Sequence, residues 1–198
     1  EKWKVSIQDG SVTFGSAKDK WAINIDIMKK KGVTFKDVID AYSDSGKVED
    51  LVEKAPLAEG VLGMVVKHHP PPHVAQKYRI PKIWKGDLES DTGKALLACD
   101  DNGPTIMMCV NMTIDPAAGP VAIGRLFSGT IKDGQTINII DTKREGRVQS
   151  VNFFMSNVRE QVGELGAGNI PALLGLTDVR AGQTISTVKD IPVFEASK

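Results

Sequence analysis

The hydrophobic period of this chain changes once, near residues 94–104, and a change of period demands two differently built cores. Before it, apolar side chains recur at helical spacing. After it, they come in short alternating runs cut by glycine. The sequence therefore predicts two parts, 1–93 and 94–198.

The first part opens with a predicted hairpin. Lys4–Gln8 and Ser11–Phe14 alternate apolar and polar around Asp9-Gly10, with Ile7 facing Val12 and Val5 facing Phe14. After Gly15-Ser16-Ala17 the spacing of Trp21, Ile25 and Met28 predicts a helix, closed by Lys29-Lys30-Lys31 and a left-handed Gly32. The lysine run reads as a solvated helix end. Thr34 is placed to cap a second helix, which Ser43-Asp44-Ser45-Gly46 breaks. Val48, Leu51 and Val52 mark a third helix, and a fourth runs from Leu57 to about His69, stopped by three prolines. From Pro70 to Gly103 the pattern loosens into a connector, with one or two helical turns at Val74–Tyr78.

In the second part, short β runs are expected at 105–110, 121–127, 136–140, 146–154, 169–174 and 183–186. Frequent turns between short strands imply a small barrel or sandwich. Gly-Gln-Thr-Ile occurs at 134–137 and again at 182–185. A turn glycine opening a strand accounts for both occurrences without a duplication.

Composition excludes rather than assigns. Hydrophobic residues make up 41 % and charged residues 25 %, which argues against disorder. No run is long and apolar enough for a bilayer-spanning helix, so no membrane partner is expected. The 25 basic residues balance 25 acidic ones, so any RNA contact must be local. Two cysteines, Cys99 and Cys109, read as reduced structural thiols of a cytoplasmic protein. His68, His69 and His73 lack a cysteine or carboxylate at ligand spacing, so no metal site is expected.

Four ordered segments resemble the elongation factor 2 family, in its archaeal form. Val12-Thr-Phe-Gly-Ser-Ala17 with Trp21-Ala22 is similar to its last guanine-nucleotide loop. His68-x-Pro70-x-Pro72 and Ala75-Gln-Lys-Tyr-Arg-Ile80 resemble the stretch joining its G domain to domain II. Gly124–Gln135 and Ala167–Ile185 look like the domain II barrel signature of translational GTPases. The compact 18–56 interval points to the archaeal form, because eukaryotic relatives carry a long insertion there. The fold implied is α+β and multi-domain: a hairpin and helices left from a P-loop GTPase domain, then an antiparallel β-barrel. On this reading residues 1–93 end the G domain and include the connector, and 94–198 are domain II.

The chain contains no G-x-x-x-x-G-K-[ST] phosphate cradle, no Asp-x-x-Gly followed by His and no Asn-Lys-x-Asp. It is therefore expected to have no catalytic residue, no GTPase activity and no cofactor of its own. The resemblance implies that the intact protein binds GTP or GDP with magnesium and drives ribosomal translocation. It also implies that Gly15, Ser16 and Ala17 position guanine. Arg125, Lys132, Lys143, Arg144 and Arg147 are candidate contacts to small-subunit ribosomal RNA, although solvated strand faces would explain them equally, and Arg125 suits a structural role too. A hairpin separated from its parent sheet would leave an open edge, so self-association of the segment is expected. Two other readings stay open from the residues: a stand-alone RNA- or protein-binding barrel module, and a segment of another translational GTPase.

Overall fold

The computed structural model describes residues 4–43, 45–156 and 158–195, so Asp44 of the expected breaker lies outside the described residues. The chain forms two compact units, 1–70 and 71–198. The units divide 23 residues before the boundary read from the period change, because helices of the expected connector pack onto the second core.

In the first unit, β1 (Phe14–Ser16) pairs antiparallel with β2 (Trp21–Ile23), with Gly15 opposite Ala22. The helices are α1 (Ile25–Lys31), α2 (Phe35–Ala41), α3 (Val48–Lys54) and α4 (Leu57–His68). Two sequence expectations fail here. The Asp9-Gly10 turn does form, with Gly10 at φ 81° and its N–H donating to Ile7, but residues 4–13 make no ladder. Val5 and Ile7 stay more than half exposed, so the alternation has no face to bury. Trp21 belongs to a strand rather than a helix. All three β2 residues are buried, and a fully buried strand gives a continuous apolar run that spacing cannot separate from a helix.

Both edges of β2 are occupied: β1 takes one, while Ala22 N–H donates to Ala55 and Leu57 N–H to Lys20 on the other. Trp21, Ile23, Ile27, Val33, Leu51 and Ala55 form the core. α4 approaches β2 through Gly60, where a Cβ would lie 2.7 Å from the Ala22 methyl. Gly32 and Thr34 act where the sequence signals place them. The Asn24 side chain accepts from Ile27 N–H at the start of α1, Gly32 ends it at φ 68°, and Thr34 and Asp37 form a capping box at α2.

The second unit begins with α5 (Pro72–Ile83) and α6 (Asp91–Ala98). Its strands are β3 (Ile106–Asp115), β4 (Gly119–Ser128), β5 (Ile131–Lys132), β6 (Thr136–Ile139), β7 (Arg144–Arg147), β8 (Ser150–Met155), β9 (Val158–Gln161), β10 (Glu164–Leu165), β11 (Ala172–Leu174) and β12 (Thr184–Ser186). Eight strands hydrogen-bond in the order β7-β6-β12-β3-β4-β11-β8-β9, every pair antiparallel, and β5 pairs with β10. Ile137 and Ile139 from one end of that order share a core with Val151 from the other. A flat sheet would hold these strands far apart, so the sheet must curl around them into the expected barrel.

The register of β3 on β4 slips twice, between Ile106 and Met107 and between Cys109 and Asn111. At the first slip Phe127 is the extra residue on β4; at the second, Val110 is extra on β3. A separate cluster on the outside of the sheet joins Ile80 of α5, Trp84 at its C-terminal cap and Leu96 of α6 to Ile106, Met108, Phe127 and Phe194. This is why the connector is helical. Pro71 and Pro72 suit the entry of α5, and burial of Gln76, Ile80 and Trp84 holds the helix through Pro81.

The repeated Gly-Gln-Thr-Ile is one turn used twice. Gln135 Oε1 accepts from Lys132 N–H at 2.9 Å, and Gln183 Oε1 from Arg180 N–H at 2.8 Å. Each glycine has positive φ, and a strand follows each turn.

Candidate guanine loop and basic surface

Gly15, Ser16 and Ala17 lie at a strand-to-strand turn and not at a strand-to-helix junction. Gly15 and Ser16 end β1, and Ala17 starts the turn into β2. Glycine is required at 15 because a Cβ there would meet the Trp21 carbonyl oxygen at 2.5 Å. Ser16 Oγ accepts from Asp19 N–H at 3.1 Å and donates to Asp19 Oδ2 at 2.8 Å, which fixes the turn. Tyr42 hydroxyl donates to the same carboxylate, and Trp21 Nε1–H donates to Tyr42 hydroxyl at 2.9 Å.

Among the described residues, the backbone N–H groups of Ala17 and Lys18 donate to no protein acceptor and stand at exposed positions. Two free donors at a pinned tip suit the carbonyl edge of a purine. Beside them runs a groove of about 490 Å3 lined by Val12, Thr13, Gly15, Ala17, Val61 and Met64, among others. The described residues contain no group of three metal-binding side chains.

Hydrogen bonds from Tyr42 and then Ser16 hold the Asp19 carboxyl below its ordinary pKa. A lowered carboxylate stabilises the fold above its unfolded pKa, and that contribution is lost as pH falls through the folded value. The Trp21 indole N–H resonance is therefore expected to keep its position from neutral pH down to the carboxylate range and to shift only below it. In Asp19→Asn the acid-induced shift should vanish.

The candidate RNA contacts are scattered. Lys132 pairs with Glu164 at 2.9 Å and Arg144 with Asp178 at 3.3 Å, all four exposed. Arg147 Nε donates to the Gly134 carbonyl at 3.2 Å, which supports the turn before β6. Lys143 is exposed at the β6–β7 turn with φ 54°. Lys143, Arg144 and Arg147 thus share one hairpin, while Arg125 stands apart. It lies on the same face of β4 as Phe127, towards α5 and α6, and is half-buried. Burial lowers the Arg125 pKa; the Cys99 thiol opposes that shift, and Arg79 adds to it.

Residues 119–186 match the family model described as elongation factor Tu domain 2. Elongation factor 2 of Cenarchaeum symbiosum is 80 % identical over 195 residues, which is 98 % of this chain and 27 % of that protein. The elongation factor 2 of Methanocaldococcus jannaschii is 49 % identical over 197 residues, covering 99 % of this chain and 27 % of the relative. That of Sulfurisphaera tokodaii is 49 % identical over 191 residues, 96 % of this chain and 26 % of its own length. The chain belongs to the elongation factor 2 family. It spans about a quarter of the length of these relatives. The match runs through both units, which disfavours a stand-alone barrel module and a different translational GTPase.

Sequence reasoning passed over the solvent face of α5. Lys77, Tyr78, Arg79 and Lys82 are exposed there. The signal was present: no aspartate or glutamate occurs from Pro70 to Gly86. Reading that stretch as a loosened connector hid the face.

Proposed function

We propose that the intact protein is a GTPase that drives translocation of tRNA and mRNA on the ribosome, and that this segment couples nucleotide state to ribosome docking. The near-complete match to elongation factor 2 supports this reading. In it, the Gly15-Ser16-Ala17 tip holds the guanine of GTP or GDP through the Ala17 and Lys18 N–H groups. Magnesium and the phosphates are held by parts of the protein outside these 198 residues, and the segment alone hydrolyses no GTP. The protein works in the cytoplasm. The barrel meets small-subunit ribosomal RNA through the β6–β7 hairpin, and the isolated segment self-associates through exposed Val5, Ile7 and Phe14.

Converting Lys143, Arg144 and Arg147 to alanine in the full-length factor removes three charges from one hairpin. Binding to small ribosomal subunits, followed by co-sedimentation across a salt series, should weaken by about tenfold or more near 0.1 M salt, with a shallower salt dependence. Unchanged binding would remove the hairpin from the interface.

A further inference from the structure

We propose that the exposed face of α5, formed by Lys77, Tyr78, Arg79 and Lys82 and continued by Arg125 of β4, binds the sugar-phosphate backbone of single-stranded RNA. This goes beyond the ribosome-docking reading, because it assigns a second surface that includes no residue of the β6–β7 hairpin.

The argument starts from charge. The chain as a whole is neutral, yet the run from Pro70 to Gly86 holds Lys77, Arg79, Lys82 and Lys85 and no acid. A solvated helix ordinarily mixes signs, because oppositely charged residues four apart support it. Here none is available within the helix, and its first turn has no acidic residue to meet the dipole. Only Lys85, beyond the helix end, is neutralised, by Glu195 at 3.6 Å. Among the described residues, Lys77, Arg79, Lys82 and Arg125 form no ion pair.

Elsewhere in this unit, among the described residues, four cations are matched, while Lys94, Lys143, Arg147 and Arg180 form no ion pair. Lys132, Arg144, Arg159 and Lys189 are paired with Glu164, Asp178, Asp115 and Glu145. What distinguishes α5 and the strand beneath it is four unpaired cations, Lys77, Arg79, Lys82 and Arg125, with no acid anywhere along the helix. Arg125 strengthens the case, since a half-buried guanidinium beside a second arginine is unfavourable until an anion arrives.

Geometry adds the second requirement. Gln76, Ile80 and Trp84 face the sheet, which turns Tyr78 and Lys82 outwards and leaves Lys77 and Arg79 on opposite flanks, Arg79 being close enough to Arg125 to lower its pKa. Tyr78 is 48 % exposed in the middle of the cations. An aromatic ring among phosphate-seeking charges is what an unpaired base can stack upon, and a base inside a duplex cannot. That selects a single strand over a double helix. The partner is thus a flexible polyanion with flat bases.

The test uses the 198-residue chain and a fluorescently labelled 15-nucleotide oligouridine, read by anisotropy between 50 and 200 mM salt. Lys77→Gln, Arg79→Gln and Lys82→Gln together should reduce the slope of log affinity against log salt by about 2, as three single-strand phosphate contacts require. Tyr78→Leu should cost about tenfold in affinity at fixed salt with the slope unchanged. Lys77→Arg with Lys82→Arg should bind as the parent chain does. Circular dichroism melts identical to the parent exclude unfolding as the cause. The proposal is overturned if the parent chain fails to bind at 50 mM salt, or if the triple variant keeps the parent slope. It is equally overturned if poly-glutamate displaces the RNA at matched charge, which would mark an acidic protein as the partner. The hairpin variant described above, made in this chain, keeps its α5 surface. Its failure on ribosomal subunits would therefore leave the oligouridine result standing.

Discussion

Gly129→Ala should lower the stability of the second unit by about 3 kcal/mol or more, and its melting temperature by on the order of 10 °C. Two penalties coincide at this position. Gly129 has φ 76°, a conformation that side chains with a Cβ rarely adopt. A Cβ built there would lie 2.5 Å from both Thr105 N and Thr105 Cα and 2.7 Å from the Pro104 carbonyl carbon. All of these are backbone atoms, so no rotamer change relieves the clash. The Gly129 N–H also donates to the Asp100 carbonyl at 2.7 Å, tying the end of β4 to the loop after α6. Gly119→Ala is the matching control. It shares the positive φ, at 81°, but a Cβ there meets nothing within 4 Å. It should cost only about 1 kcal/mol. Equal losses in the two variants, measured by urea unfolding, would show that the close approach to Thr105 contributes nothing.

Gln76→Leu should cost about 2 kcal/mol despite the similar size and greater apolarity of leucine, and although it also removes the buried, unpartnered Gln76 Oε1. Gln76 is 2 % exposed, and its amide nitrogen donates to two carbonyls, Leu96 of α6 and Phe127 of β4, the latter at 2.8 Å. Each carbonyl sits where regular structure fails. Leu96 is in the last turn of α6, where the Asp100 N–H goes to Ala95 instead. Phe127 is the extra residue at a register slip. Leaving both carbonyls buried and unmatched costs roughly 1–3 kcal/mol each. A leucine that restores volume but leaves stability low would separate hydrogen bonding from packing. Parental stability would mean that water or a shifted backbone serves both groups.

These two positions also mark where sequence reasoning stops. The end of α1 and the start of α2 were legible, because Gly32 and Thr34 act on neighbours within one turn. Barrel strands β3, β4, β6, β8, β11 and β12 were legible for the same reason, since alternation and turn glycines are local, while the two-residue β5 and β10 and the end strands β7 and β9 were not. Gln76 was not, because its partners lie 20 and 51 residues away. The first hairpin was misplaced because pairing is decided by which face gets buried. Trp21, Ala22 and Ile23 gain cover from α3 and α4, while Val5 and Ile7 gain none. At the candidate sites, sequence supplied the identity of Gly15, Ser16 and Ala17 but not the Asp19–Tyr42–Trp21 chain that pins them. It named Lys132 and Arg144 without their carboxylate partners, and it missed the basic face of α5.

The bulge at Val110 leaves Cys109 with a thiol that is fully enclosed, packed among core residues and raised in pKa chiefly by that enclosure. Its backbone N–H donates to the Gln183 carbonyl and its carbonyl accepts from the Gly182 N–H, both on the β12 side. A thiol in that position is nearly inert to alkylation while the strands stay joined. Its modification rate therefore keeps time for the barrel, advancing only during the intervals when β3 and β12 part. The molecule thus carries its own single-atom gauge of how often its sheet opens, with no label to be engineered in.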